Sequence, residues 1–136
     1  MNSTHRTTHR AGRVAAAVLA TAAIAAVTVP AAQAKGGDVV RRGSCAGATG
    51  WKVKVGPEDG KLEVEGEIDS NHVGQTWRWR LVHDGSTAAR GTRTTKAPSG
   101  SFEVRRVVRN HAGTDAITLR ARNVKSGELC VGKVRF

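Results

Sequence analysis

The chain has 136 residues, with 22 Lys and Arg against 11 Asp and Glu, a formal net charge of +11, three tryptophans, two phenylalanines and no tyrosine. A chain this short holds one small domain, and a modest set of valine, leucine, tryptophan and phenylalanine suits two thin sheet layers better than a helical bundle. A core of this size is marginal, and small exported domains usually add a covalent staple.

The first 34 residues read as an export signal. Arg6, Arg10 and Arg13 form a positive leader, Val14 to Val29 is an uncharged, alanine-dominated run, and Ala32-Gln33-Ala34 offers a small-residue cleavage site before Lys35. The run of 16 residues falls short of the roughly 20 needed to span a bilayer. No cysteine follows the cleavage site to carry lipid, and no hydrophobic tail closes the sequence. Removing residues 1–34 from the 136 leaves 102 residues with a net charge of +8, expected to be soluble and extracellular, with no membrane span.

Residues 35–49 are rich in glycine and small side chains and read as a flexible lead that becomes ordered near Cys45. The domain proper is expected over residues 50–136. Trp51-Lys52-Val53-Lys54-Val55 alternates cleanly, a strand with Trp51, Val53 and Val55 inward. After the turn Gly56-Pro57-Glu58-Asp59-Gly60, Lys61 to Ile68 turns Leu62, Val64, Gly66 and Ile68 inward and Glu63, Glu65 and Glu67 outward. Gln75 to Arg93 carries the strongest hairpin signal, with alternation up to Asp84-Gly85 and a second extended run beyond it. Trp77 and Trp79 share one face of its first strand, and Arg78 and Arg80 share the other.

Ser101 to Arg109 places Phe102, Val104 and Val108 on one face, with Arg106 an awkward fourth member that a bulge or an edge position would turn outward. Ala116 to Asn123 brings Ile117, Leu119 and Ala121 inward, and Leu129 to Phe136 is the last strand. No helical period of useful length follows the signal. The expected fold is therefore all-β: a seven-stranded antiparallel sandwich. Cys45 and Cys130, the only cysteines, both lie in the exported part, so one intramolecular disulfide is expected. Closing so long a loop is worth about 4–5 kcal/mol in the chain-entropy treatment.

The seven strands, with a tryptophan in the third and a polar corner at Asn110-His111-Ala112-Gly113-Thr114-Asp115, resemble an immunoglobulin-like or fibronectin type III-like domain over Trp51 to Phe136. The sequence departs from that pattern in lacking the corner tyrosine and in placing its cysteines off the second and sixth strands. From its alanine-rich signal to Arg-Asn-Val-Lys-Ser-Gly-Glu-Leu-Cys it also resembles small secreted actinobacterial proteins of unknown function. Neither resemblance implies an active site.

A two-residue loop at Asp84-Gly85 would set Trp79 opposite Arg90 and Trp77 opposite Thr92. Arg90 would then lie over the tryptophans, either as part of an aromatic–basic surface for a sugar or anion or as a side chain crossing the edge of a buried core. On the other face Arg93 would join Arg78 and Arg80. Arg105, Arg109, Arg120 and Arg122 add outward charge that Glu63, Glu65 and Glu67 answer, so a zoned surface is expected. Such a surface fits anionic polymers of the cell wall or extracellular matrix. Nucleic acid is disfavoured, because no aromatics remain for base stacking.

No nucleophile or metal motif is present, and His72, His83 and His111 show no ligand spacing, although loops could gather His83, Asp84 and His111 in space. The sequence thus points to a non-catalytic binding module with no cofactor and no metal. It would be secreted, retained at the cell wall if at all by noncovalent contacts, and its candidate binding residues are Arg78, Arg80, Arg90 and Arg93. A secreted inhibitor of another extracellular protein, or a small-ligand carrier, is the alternative, and an enzyme the third.

Overall fold

The computed structural model describes residues 36–136; the expected signal at residues 1–34 lies outside them. Eight strands follow one another: β1 (Val39–Ser44), β2 (Gly50–Glu58), β3 (Lys61–Asp69), β4 (Thr76–His83), β5 (Ser86–Thr94), β6 (Ser101–Arg109), β7 (Ala116–Asn123) and β8 (Leu129–Arg135). They form two four-stranded antiparallel sheets, ordered β1-β2-β3-β6 and β5-β4-β7-β8. Among the described residues there is no helix long and apolar enough to cross a membrane.

The period-2 pattern does what it predicts. Val53, Val55, Leu62, Val64 and Ile68 from the first sheet meet Trp77, Trp79, Leu81, Ile117, Leu119 and Val134 from the second, all buried in one cluster. Trp77 is fully buried, so the tryptophans of β4 are core, the volume that keeps two thin sheets apart. Trp51 fills the β1/β8 end of the same space. Its indole lies between Gly43 and Gly132, and a Cβ on Gly132 would come within 2.6 Å of the ring, so only glycine allows this approach.

Two expectations need correction. The strands number eight rather than seven, because β1 forms within the stretch whose composition reads as a lead. It pairs along β2 from Val39 opposite Val55 to Ser44 opposite Gly50, adding an edge strand that buries little. Arg106 is not turned outward: it stands opposite buried Val64 on the inner side of the edge strand β6, with its guanidinium over the Trp79 ring, 5.7 Å from the centroid. An edge position lets it lie across the open rim of the core while its charge stays wet.

The expected disulfide joins Cys45 to Cys130, 85 residues apart, and fastens the end of β1 to the start of β8, thereby linking the sheets. Beside it the Glu128 carboxylate accepts hydrogen bonds from Thr49 Oγ1 at 2.8 Å and from the Gly47 N–H at 3.0 Å.

Candidate functional site

The β4–β5 hairpin positions both candidate sites. Asp84 and Gly85 take φ of 46° and 80°, the left-handed pair that a type I′ turn requires, and His83 pairs with Ser86 across it. The turn is therefore the expected one, but the register beyond it is not. Val82 pairs with Thr87 and Leu81 with Ala89, so Ala88 is an extra residue in β5. A one-residue slip exchanges the two faces of a strand. Trp79 consequently lies opposite Gly91, and Trp77 opposite Arg93, where Arg90 and Thr92 were expected.

This bulge corrects two of the four candidate arginines. Arg90 leaves the tryptophan side and stands opposite Arg80 on the outer face. Arg93 moves the other way, to the tryptophan side of the exposed edge strand, and does not join Arg78 and Arg80. The outcome suits the core: small Gly91 and Ala89 flank Trp79 and Leu81, where the unbulged register would press an arginine against an indole. No turn-forming residue marks Ala88. The trace in the sequence is only that one register offers small residues to the large ones of β4.

The outer face of β5-β4-β7-β8 is thereby read row by row. Arg90, Arg80 and Arg120 lie directly across from one another on β5, β4 and β7; in the next row Arg78 is flanked by Thr92 and Arg122. Lys133 and Arg135 extend the same face on β8, opposite Thr118 and Ala116. No Asp or Glu projects from these strands on this side. The arginines border an open depression of about 590 Å³ whose floor includes Thr92 and Leu129. Neighbouring strands are about 4.8 Å apart and alternate residues about 6.7 Å apart, so five guanidinium groups share a patch roughly 10 Å by 7 Å at their roots. The side chains are long, exposed and free to converge on a shared counter-ion.

The two tryptophans of β4 offer no binding surface of their own. Trp77 and Trp79 are buried beneath this sheet, and their indole N–H groups meet no hydrogen-bond partner among the described residues. Neither ring is available to stack on a sugar or a base.

A different constellation gathers at the far end of β4. His83 ends β4, Asp84 opens the turn, and His111 and Asp115 come from the loop between β6 and β7. His83 Nε2 lies 2.7 Å from Asp115 Oδ1 and 3.2 Å from Asp84 Oδ2. His111 Nδ1 lies 2.7 Å from Asp84 Oδ2 and 3.3 Å from Asp115 Oδ1. The two imidazoles stack, with centroids 4.8 Å apart and planes within 9°. Asp115 is fully buried and His83 nearly so, while the side chains of Asp84 and His111 keep 35% and 43% of their exposure. Asp84 Oδ1 accepts the Ala116 N–H at 2.8 Å; this bond, then the one with His111, holds its carboxyl below the usual aspartate range.

The structure thus brings together His83, Asp84 and His111 and adds Asp115, which the sequence did not single out. His72 stands apart, its Nδ1 2.7 Å from the Ser70 carbonyl. What joins Asp84 to His111, 27 residues away, is the pairing of β4 with β7, seen where His83 faces Ile117, and no linear spacing announces it. Comparison with protein-family models, with curated proteins and with solved structures finds no match.

Proposed function

We propose that this protein is a secreted, non-catalytic binding module that recognises anionic polymers through the outer face of β5-β4-β7-β8. The observation that carries this reading is the row Arg90–Arg80–Arg120 with Arg78 and Arg122 beside it, on a sheet face that bears no carboxylate. Like charges directly opposite on a sheet oppose folding. A face composed this way gains most from a ligand that brings a row of phosphate, sulfate or carboxylate groups. Guanidinium suits them because its planar donor fork accepts such groups two oxygens at a time. With both β4 tryptophans buried, base stacking contributes nothing, so polymer charge rather than nucleobase identity is what this face reads.

The sheet orders support an immunoglobulin-like or fibronectin type III-like assignment, with β2, β3 and β6 in one layer and β5, β4, β7 and β8 in the other. The disulfide and the signal-like first 34 residues support export. A carrier of small ligands receives no such support, since Trp77, Trp79 and Leu119 occupy the space between the sheets.

The test is retention on immobilised teichoic acid, peptidoglycan and DNA, at low and at about physiological salt, where the Debye length is about 8 Å. Retention by one polymer that survives physiological salt, and is lost when Arg78, Arg80 and Arg120 are changed to Glu, is the expected result. Equal loss after Arg41 and Arg42 on β1 are reversed instead would reject the face. Release from every polymer at physiological salt would reject recognition altogether.

A further inference from the structure

We propose that His83, Asp84, His111 and Asp115 form a binding site for one divalent first-row transition-metal ion, with two imidazole nitrogens and two carboxylate oxygens as ligands. Each of the four residues offers one ligand atom, and these atoms all lie within 4.8 Å of one another. Around the ring Nε2(His83)–Oδ1(Asp115)–Nδ1(His111)–Oδ2(Asp84) the successive separations are 2.7, 3.3, 2.7 and 3.2 Å. Around a four-coordinate ion with bonds of about 2.0–2.2 Å, adjacent ligand atoms stand roughly 3.0–3.5 Å apart. A shift of a few tenths of an ångström opens the quartet to that size. Nitrogens and oxygens alternate, so the ring is already ordered as an N2O2 set.

Donor chemistry points the same way. Two carboxylate and two imidazole side chains meet in one small volume, one carboxylate belonging to a fully buried aspartate. Imidazole pairs suit zinc, copper and nickel, whereas calcium and magnesium prefer all-oxygen shells. The half-exposed Asp84 and His111 leave an entry path, and Asp115 and His83 form the floor.

With all four positions taken by protein, the site would be a clasp rather than a reaction centre. It would tie the β4–β5 turn to the loop before β7. The backbone already fixes that loop: the Asp115 N–H donates to the Phe136 carbonyl and the Asp84 N–H to the Ala116 carbonyl, at 3.0 and 2.9 Å. The ligands are therefore held on short, hydrogen-bonded segments and need little reorganisation.

The experiment is calorimetric titration of the purified full chain with Zn²⁺ and, separately, Cu²⁺, with Ca²⁺ and Mg²⁺ as controls. The expected result is uptake of one Zn²⁺ or Cu²⁺ that His111→Gln weakens at least about 100-fold and His72→Gln leaves unchanged, because loss of a mere outer-shell partner already costs 10–100-fold. The relative strength of the two arms identifies the preferred ion. A measurement independent of substitution is paramagnetic broadening by Cu²⁺, expected at the His83 and His111 ring resonances and absent at His72. No saturable uptake of either ion, uptake untouched by His111→Gln in a folded variant, or broadening that spares His83 and His111 would overturn the site.

Discussion

The two sheets solve the same problem of an arginine- and lysine-rich sequence in opposite ways. On the outer face of β1-β2-β3-β6, acids and bases are interspersed: Lys52 pairs with Glu67, Lys54 with Glu65 and Asp38, and Arg105 with Glu63, beside the like-charged neighbours Arg42 and Lys52, Lys61 and Arg109, and Glu67 and Glu103. On the outer face of β5-β4-β7-β8, cation meets cation. One layer carries counter-charges on its own strands, and the strands of the other carry none. The excess charge of the chain is therefore localised, and a localised excess can discriminate among polyanions where a uniform one only attracts them.

The comparison breaks most visibly if the cationic rows are reversed. Changing Arg78, Arg80 and Arg120 to Glu is expected to lower affinity for the retained polymer by on the order of 10³-fold and to flatten its salt dependence, read by elution at graded salt. Deleting Ala88 should act far more mildly. It removes the bulge yet leaves Leu81 opposite Ala89, Arg80 opposite Arg90 and Trp79 opposite Gly91, so polymer retention is expected to persist in the same elution assay.

Subtler substitutions give effects of opposite sign on the two faces. Arg80→Gln should stabilise the free protein at low salt by about 0.2–1 kcal/mol, since it relieves two cross-strand repulsions, and the gain should fade as salt rises. Glu63→Gln should instead destabilise slightly, by no more than about 1 kcal/mol, because it undoes a pair with the exposed Arg105. Two changes of the same sign would end the contrast.

The smallest effect lies at alkaline pH. A hydrogen bond to Asp38, then its charge and that of Glu65, raise the Lys54 ammonium above the ordinary lysine value of 10.5. A folded value above the unfolded one means that this pair contributes below the unfolded value and is lost as pH rises through the folded one. NMR titration of the Lys54 side chain should therefore show a late midpoint, with the arginine face still charged.

Much of this arrangement was legible in the residues. Alternation marked β2, β3, β4, β6, β7 and β8, because each buries one face against a common core and the buried set must recur at every second position. β1 escaped because Val39-Val40-Arg41-Arg42-Gly43-Ser44 buries almost nothing; its strand conformation comes from the ladder with β2, which composition does not encode. The arginine face was half legible. Arg78 and Arg80 followed from period 2 alone, whereas the places of Arg90 and Arg93 depended on one bulged alanine. Asp115 was hidden for a third reason: its neighbours in space come from a different strand pair, brought together by tertiary pairing.

The disulfide has a mechanical consequence. Cys45 and Cys130 sit just inside the two ends of the described chain, so a pull applied at those ends runs through the sulfur–sulfur bond. The residues between them, including all of the core cluster but Val134 and every cationic row except its β8 extension, are bypassed by the load. Only residues 36–44 and 131–136 could peel away, lengthening the molecule by no more than about 50 Å at roughly 3.4 Å per residue. A domain held to a surface by its charged face and tugged by flow would give a short, abrupt extension and then behave as an inextensible link.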